Sequence, residues 1–89
     1  MIEGQATICN KLGLHARAAA KFVATASGFE SEIEIEKDGK RVNGKSIMGV
    51  MMLAASKGSN IKLFIDGADA EDAMIKIKDL ITSRFGEDE

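Results

Sequence analysis

The 89-residue chain has no proline, no tryptophan and no tyrosine, with a single cysteine and a single histidine. Each shortage excludes something. One thiol cannot form a disulfide framework within the chain, and Cys9, with no histidine paired to it, reads as a small filler rather than a metal ligand. A lone thiol suits a reducing cytoplasm. Four phenylalanines are the only aromatics, too few to build a stacking platform for bases. The net charge of −2, with both signs interspersed, excludes the basic face of a nucleic-acid binder. No apolar run approaches the ~20 residues that span a bilayer. Met1-Ile2-Glu3-Gly4 lacks the regions of a signal peptide. The expectation is a cytoplasmic protein with no nucleic-acid partner and no direct membrane insertion.

What is present is one small domain, residues 1–89, able to bury roughly 60–65% of its unfolded surface. Ile2, Gly4, Ala6 and Ile8 alternate with Glu3, Gln5 and Thr7 at the period of a half-buried strand. Residues 16–27 switch to helical spacing, with Ala16, Ala19, Ala20, Val23 and Ala26 on one face, Phe22 beside it and Gly28 as a stop. Residues 31–37 alternate again, and Asp38-Gly39 signals a two-residue hairpin leading to a short return strand, Lys40 to Asn43. Ser46 is a good N-cap for the apolar run 47–53. Ile61, Leu63 and Ile65 alternate with Lys62, Phe64 and Asp66 as a fourth strand. Asp69 is placed to cap a last helix striped by Ala70, Ala73, Met74, Ile77, Leu80 and Ile81, with Gly86 beyond its end. The pattern predicts an α/β (α+β) open-faced two-layer sandwich, βαββαβα, with an antiparallel sheet covered on one side. Periodicity leaves the strand order open, and a ferredoxin-like arrangement fits the first six elements equally well.

The residue that carries chemistry is His15, in Gly13-Leu14-His15-Ala16-Arg17-Ala18-Ala19. Gly13 and Leu14 supply a turn and an anchor directly before the first helix. The amides of Ala16, Arg17 and Ala18 then lack intrahelical partners and can bond an anion. Arg17 adds a forked, permanently charged donor for phosphate oxygens. Neutral imidazole is a competent nucleophile near pH 7, and a helix end favours a phosphorylated product by ~0.3–1 kcal/mol per charge. The plainer alternative makes His15 an exposed cap and Arg17 a solvated helix charge.

This heptapeptide, followed about thirty residues later by Gly44-Lys45-Ser46-Ile47-Met48-Gly49-Val50-Met51, resembles the HPr family, the histidine phosphocarriers of the bacterial phosphoenolpyruvate-dependent phosphotransferase system. The resemblance covers the length, the element order, both motifs and their separation. It implies that His15 takes a phosphoryl group on Nδ1 from phosphorylated enzyme I and passes it to an enzyme IIA component, with Arg17 contacting the phosphohistidine. It further implies a four-stranded sheet in the order 1-4-2-3 under three helices. Such a protein is a carrier and a monomer, not an enzyme with its own turnover, and needs no cofactor. The family usually has proline where this chain has Ala18, which restores an amide in the first helical turn.

The resemblance extends to regulation: Ser46, besides capping a helix, matches the serine modified by HPr kinase/phosphorylase. The helix after it is apolar nearly all round. Val50 and Leu53 can face the sheet, but Ile47, Met48, Met51 and Met52 cannot all be buried, which predicts an adaptable docking patch completed by Ala16 and Ala20. The carboxylates of Glu30, Glu32, Glu34 and Glu36 read as the solvated face of a strand, answered by lysines near the hairpin, and not as a metal site. Two rival functions stand beside the carrier. One is a non-carrying interaction module acting through the Ser46–Met52 patch. The other is a small-ligand-sensing domain, which the lack of an aromatic pocket disfavours.

Overall fold

Strands with one apolar side need a single covering layer, and the computed structural model, which describes residues 1–89, shows how this chain supplies it. The elements are β1 (Ile2–Thr7), α1 (Ala16–Ser27), β2 (Glu32–Lys37), β3 (Lys40–Asn43), α2 (Ile47–Met52), β4 (Asn60–Asp66) and α3 (Ala70–Thr82), followed by a single turn, Arg84–Gly86. All pairings are antiparallel, in the order β1-β4-β2-β3. The ferredoxin-like alternative is therefore excluded.

Register explains why the sheet is two-faced. Ile2, Ile65 and Ile33 form one row across it, and Gly4, Leu63, Ile35 and Val42 another. These rows join Ala18, Ala19 and Phe22 of α1, Val50 of α2 and Ala73 and Ile77 of α3 in one core. Asp38 and Gly39 take φ of +52° and +81°, the twist that a two-residue hairpin needs. Gly4 lets α3 lie close on β1, since a Cβ there would sit 2.7 Å from Met74 Sδ.

The structure corrects four expectations. The buried stripe of α1 is Ala18, Ala19, Phe22 and Ala26, while Ala16 and Ala20 are exposed and Val23 is half-buried. A helix rich in alanine on all sides does not show by periodicity which side turns inward; anchoring by Leu14 and packing of Phe22 decide it. Phe64, expected on the polar face with Lys62 and Asp66, is only 8% exposed. The Arg41 guanidinium lies 3.7 Å from its ring centroid, a cation–π cover for an aromatic on the open face. Arg41 also pairs with Glu36 at 3.3 Å and Glu34 at 3.8 Å, so an arginine on the neighbouring strand answers those strand carboxylates. Lys37 instead reaches Asp38 and the carbonyls of Leu53 and Ala54.

Asp69 makes no side-chain cap on α3. Its carboxylate accepts the amides of Glu30 and Ser31 and the Ser31 hydroxyl, tying the start of β2 to the start of α3. These bonds, that from the Ser31 hydroxyl first, hold its pKa below the usual carboxylate value.

Candidate functional site

The site begins with a glycine. Gly13 has φ of +67°, and a Cβ on it would lie 2.4 Å from the Ala55 carbonyl oxygen. Only glycine tolerates both the conformation and the approach. The Leu14 amide donates to that same Ala55 carbonyl at 2.8 Å, and the Leu14 side chain is buried. The loop before α1 is thus pinned to the segment after α2, which sets where the next residue points.

That residue, His15, is the N-cap of α1, in extended conformation. Its carbonyl accepts from the Ala19 amide at 2.8 Å, and its Nδ1 accepts from the Arg17 amide at 3.3 Å. The amides of Ala16 and Ala18 meet no backbone acceptor. The imidazole therefore faces the positive end of a twelve-residue helix with donors to spare. The Ala18 side chain is fully buried and the Arg17 side chain exposed. Arg17 lines an open cleft of about 460 Å³ with Lys11, Leu12, Glu87, Asp88 and Glu89.

The sequence reading missed the other side of the ring. His15 Nε2 lies 2.6 Å from Glu87 Oε2. The second carboxylate oxygen, Oε1, accepts from Asn10 Nδ2 at 3.0 Å, and that same nitrogen donates to the Gly13 carbonyl at 2.8 Å. The bonds from Asn10 and then His15 hold the Glu87 pKa below the usual carboxylate range. No local pattern marks Glu87 as a partner of His15. The one available signal was Phe85, a large apolar residue just past the end of α3, which is completely buried and draws the chain back toward α1. Lys21 Nζ donates to the Phe85 carbonyl at 2.6 Å, and the Lys11 amide to the Glu89 carbonyl at 3.0 Å.

Ser46 stands at the N-cap of α2, its hydroxyl accepting from the Gly49 amide at 3.1 Å. Val50 and Leu53 are buried, whereas Ile47, Met48, Met51 and Met52 are exposed, Met48 at 68%. Because α1 packs against α2, these side chains and the exposed Ala16 and Ala20 belong to neighbouring helices. Leu12, 67% exposed, is a further apolar residue in the His15 loop that the sequence reading passed over.

Fold and site together define a class: a small open-faced sandwich that presents one imidazole on a helix N-terminus, beside a donor-rich but open surface. Residues 2–83 match the family model described as the PTS HPr component phosphorylation site. The phosphocarrier protein HPr of Neisseria meningitidis serogroup A is 57% identical over 89 residues, covering 100% of each chain. A crystal structure of HPr from Thermoanaerobacter tengcongensis superposes with a TM-score of 0.96 at 54% identity, again over 100% of both chains. A second structure from that organism, described as an HPr dimer, gives 0.79 at 55% identity over 98% of this chain and 100% of that one. The chain belongs to the HPr family, the phosphocarriers of the phosphotransferase system. The reading as a non-carrying interaction module finds no support in these likenesses.

Proposed function

We propose that His15 is the residue on which this phosphocarrier holds its phosphoryl group, received from phosphorylated enzyme I and given up to an enzyme IIA component. The observation that carries the reading is the cap geometry: an imidazole nitrogen, Nδ1, set against the Arg17 amide in the first turn of α1, with the Arg17 side chain exposed. In the transfer, the Nδ1 lone pair forms a bond to phosphorus while the bond from phosphorus to the donor breaks, its electron pair staying on the donor. The amides of Ala16, Arg17 and Ala18 and the Arg17 guanidinium then receive the phosphoryl oxygens. Each such interaction is modest, which suits a group that must leave again. The protein turns over no substrate of its own; alignment of donor and acceptor is shared with the partner.

Partners dock, in this reading, on Ala16, Ala20, Ile47, Met48, Met51 and Met52, where flexible thioethers adapt to more than one surface. Ser46 regulates that docking. Phosphorylation by HPr kinase/phosphorylase adds about 1.5–2 negative charges beside the exposed methionines, which opposes desolvation of the patch. The carrier acts as a monomer in the cytoplasm, a setting in keeping with its free thiol.

Incubation with phosphoenolpyruvate and enzyme I tests the proposal. The expected result is an acid-labile phosphate on the wild type, none on His15→Ala, and slower labelling of Ser46→Asp. Labelling of His15→Ala at the wild-type level would overturn the assignment of His15, and an unchanged rate in Ser46→Asp the regulatory role of Ser46.

A further inference from the structure

We propose that Glu87 is a positioning residue for His15, holding the imidazole as the Nε2–H tautomer so that Nδ1 presents its lone pair for phosphoryl transfer. The inference rests on His15 being the acceptor and adds to it the residue that decides which nitrogen reacts.

The argument starts from the two hydrogen bonds on the ring. A carboxylate has no proton to give, so the 2.6 Å contact between Nε2 and Glu87 Oε2 requires the hydrogen on Nε2. The Arg17 amide, a donor, points at Nδ1 from 3.3 Å and requires a lone pair there. Both contacts select the same tautomer. In the other one, Nδ1–H would face an N–H and the Nε2 lone pair would face a carboxylate, so both bonds would be lost and replaced by repulsion. The Arg17 contact is long and neutral, whereas the Glu87 contact is short and charge-assisted. Glu87 is therefore the stronger determinant.

The carboxylate is itself held in place. Its side chain is 14% exposed, and Asn10, fully buried, donates to its other oxygen. Asn10 spends Nδ2 on Glu87 and Gly13 while its own buried Oδ1 meets no partner, a cost tolerated at a site that orients a carboxylate. The segment bearing Glu87 is anchored by the buried Phe85 and by Lys21 on the Phe85 carbonyl. Glu87 thus approaches Nε2 from a fixed direction and leaves the Nδ1 side to the Arg17 amide, which passes to a phosphoryl oxygen as the lone pair bonds phosphorus. Transfer to Nδ1 consumes only the lone pair on that side, so the ring keeps its Nε2–H bond to Glu87 in both states and has no need to turn.

The test combines two-bond ¹H–¹⁵N spectra of the His15 ring, at about pH 8.5 where a histidine is neutral, with the kinetics of phosphorylation by enzyme I. Wild type is expected to show Nδ1 unprotonated and Nε2 protonated. Glu87→Gln keeps that tautomer, because its amide carbonyl still accepts from Nε2–H. Glu87→Ala lowers the ratio of Nε2–H to Nδ1–H by about tenfold, the order set by a hydrogen bond to a charged group. It also lowers kcat for phosphorylation about three- to tenfold through lost orientation, with KM for enzyme I unchanged. A ring tautomer or a kcat in Glu87→Ala equal to wild type would overturn the proposal, as would an effect confined to KM. The spectra are read on the unphosphorylated protein, so phosphate persisting on His15→Ala would refute the acceptor assignment without touching them.

Discussion

At the scale of single residues, Ala18 is where the chain leaves the usual pattern of its family, and the structure shows what the departure changes. Ala18 lies in the first turn of α1, its side chain buried and its amide without a backbone acceptor. Proline there would sacrifice no hydrogen bond, but it would remove one of the donors facing the phosphoryl position and restrict the backbone of Arg17. Ala18→Pro is therefore expected to shift stability by less than about 1 kcal/mol in urea unfolding, while changing the rate of transfer from enzyme I several-fold. Equal rates in the two proteins would show the substitution to be silent. The motif Gly13-Leu14-His15-Ala16-Arg17 was legible because its logic is local: a left-handed glycine, an anchor and a cap follow one another along the chain. Glu87 was not legible, because its relation to His15 exists only after Phe85 has found the core.

Elements differ in the same way. The β2–β3 hairpin could be read from Asp38-Gly39, and α3 from its apolar stripe, since turn chemistry and a 3.6-residue period are properties of adjacent residues. The turn after α3 could not. Arg84, Phe85 and Gly86 take φ of +59°, +55° and +76°, and two of the three are residues that disfavour this region. Local preference is overruled there by burial of the Phe85 ring, which contributes about 2–3 kcal/mol. Phe85→Ala should accordingly cost about 3 kcal/mol of stability in urea titrations, and it should loosen Glu87 from His15. A loss below about 1 kcal/mol would mean that the turn is held by something other than its aromatic. The short α2 was legible too. Its all-round apolarity signalled surplus hydrophobic surface, and the split expected from spacing is the one found, with Val50 and the C-cap Leu53 in the core and Ile47, Met48, Met51 and Met52 facing outward.

For the whole molecule, two carboxylates close long loops across the fold. Asp69 joins the approach to β2 to the approach to α3, and Glu87 joins the last segment to the start of α1. Their hydrogen bonds, from Ser31 and Glu30 to Asp69 and from Asn10 and His15 to Glu87, lower both pKa values in the folded state. A carboxylate with a depressed folded pKa stabilises the protein above its unfolded value, about 4, and that contribution disappears as pH falls through the folded value. Thermal stability attributable to this pair should be level from about pH 7 to pH 5 and decline below about pH 4. The double variant Asp69→Asn, Glu87→Gln should have a shallower acid decline in calorimetry. An identical slope would mean that other groups set the acid limit.

The sequence by itself determined the alternation of strands and helices, the hairpin and the presentation of His15 and Arg17 at a helix start, because periodicity, turn chemistry and capping act over a few residues. Periodicity alone left the strand order open, although the resemblance to a known family pointed to the right one. Tertiary structure decided which alanines of α1 turn inward, why Phe64 lies beneath Arg41, where Asp69 directs its carboxylate, and that Glu87 meets Nε2 of His15. Those relations join residues distant along the chain. They form only where burial of a few large side chains, Phe22 and Phe85 among them, outweighs what the neighbouring residues prefer on their own.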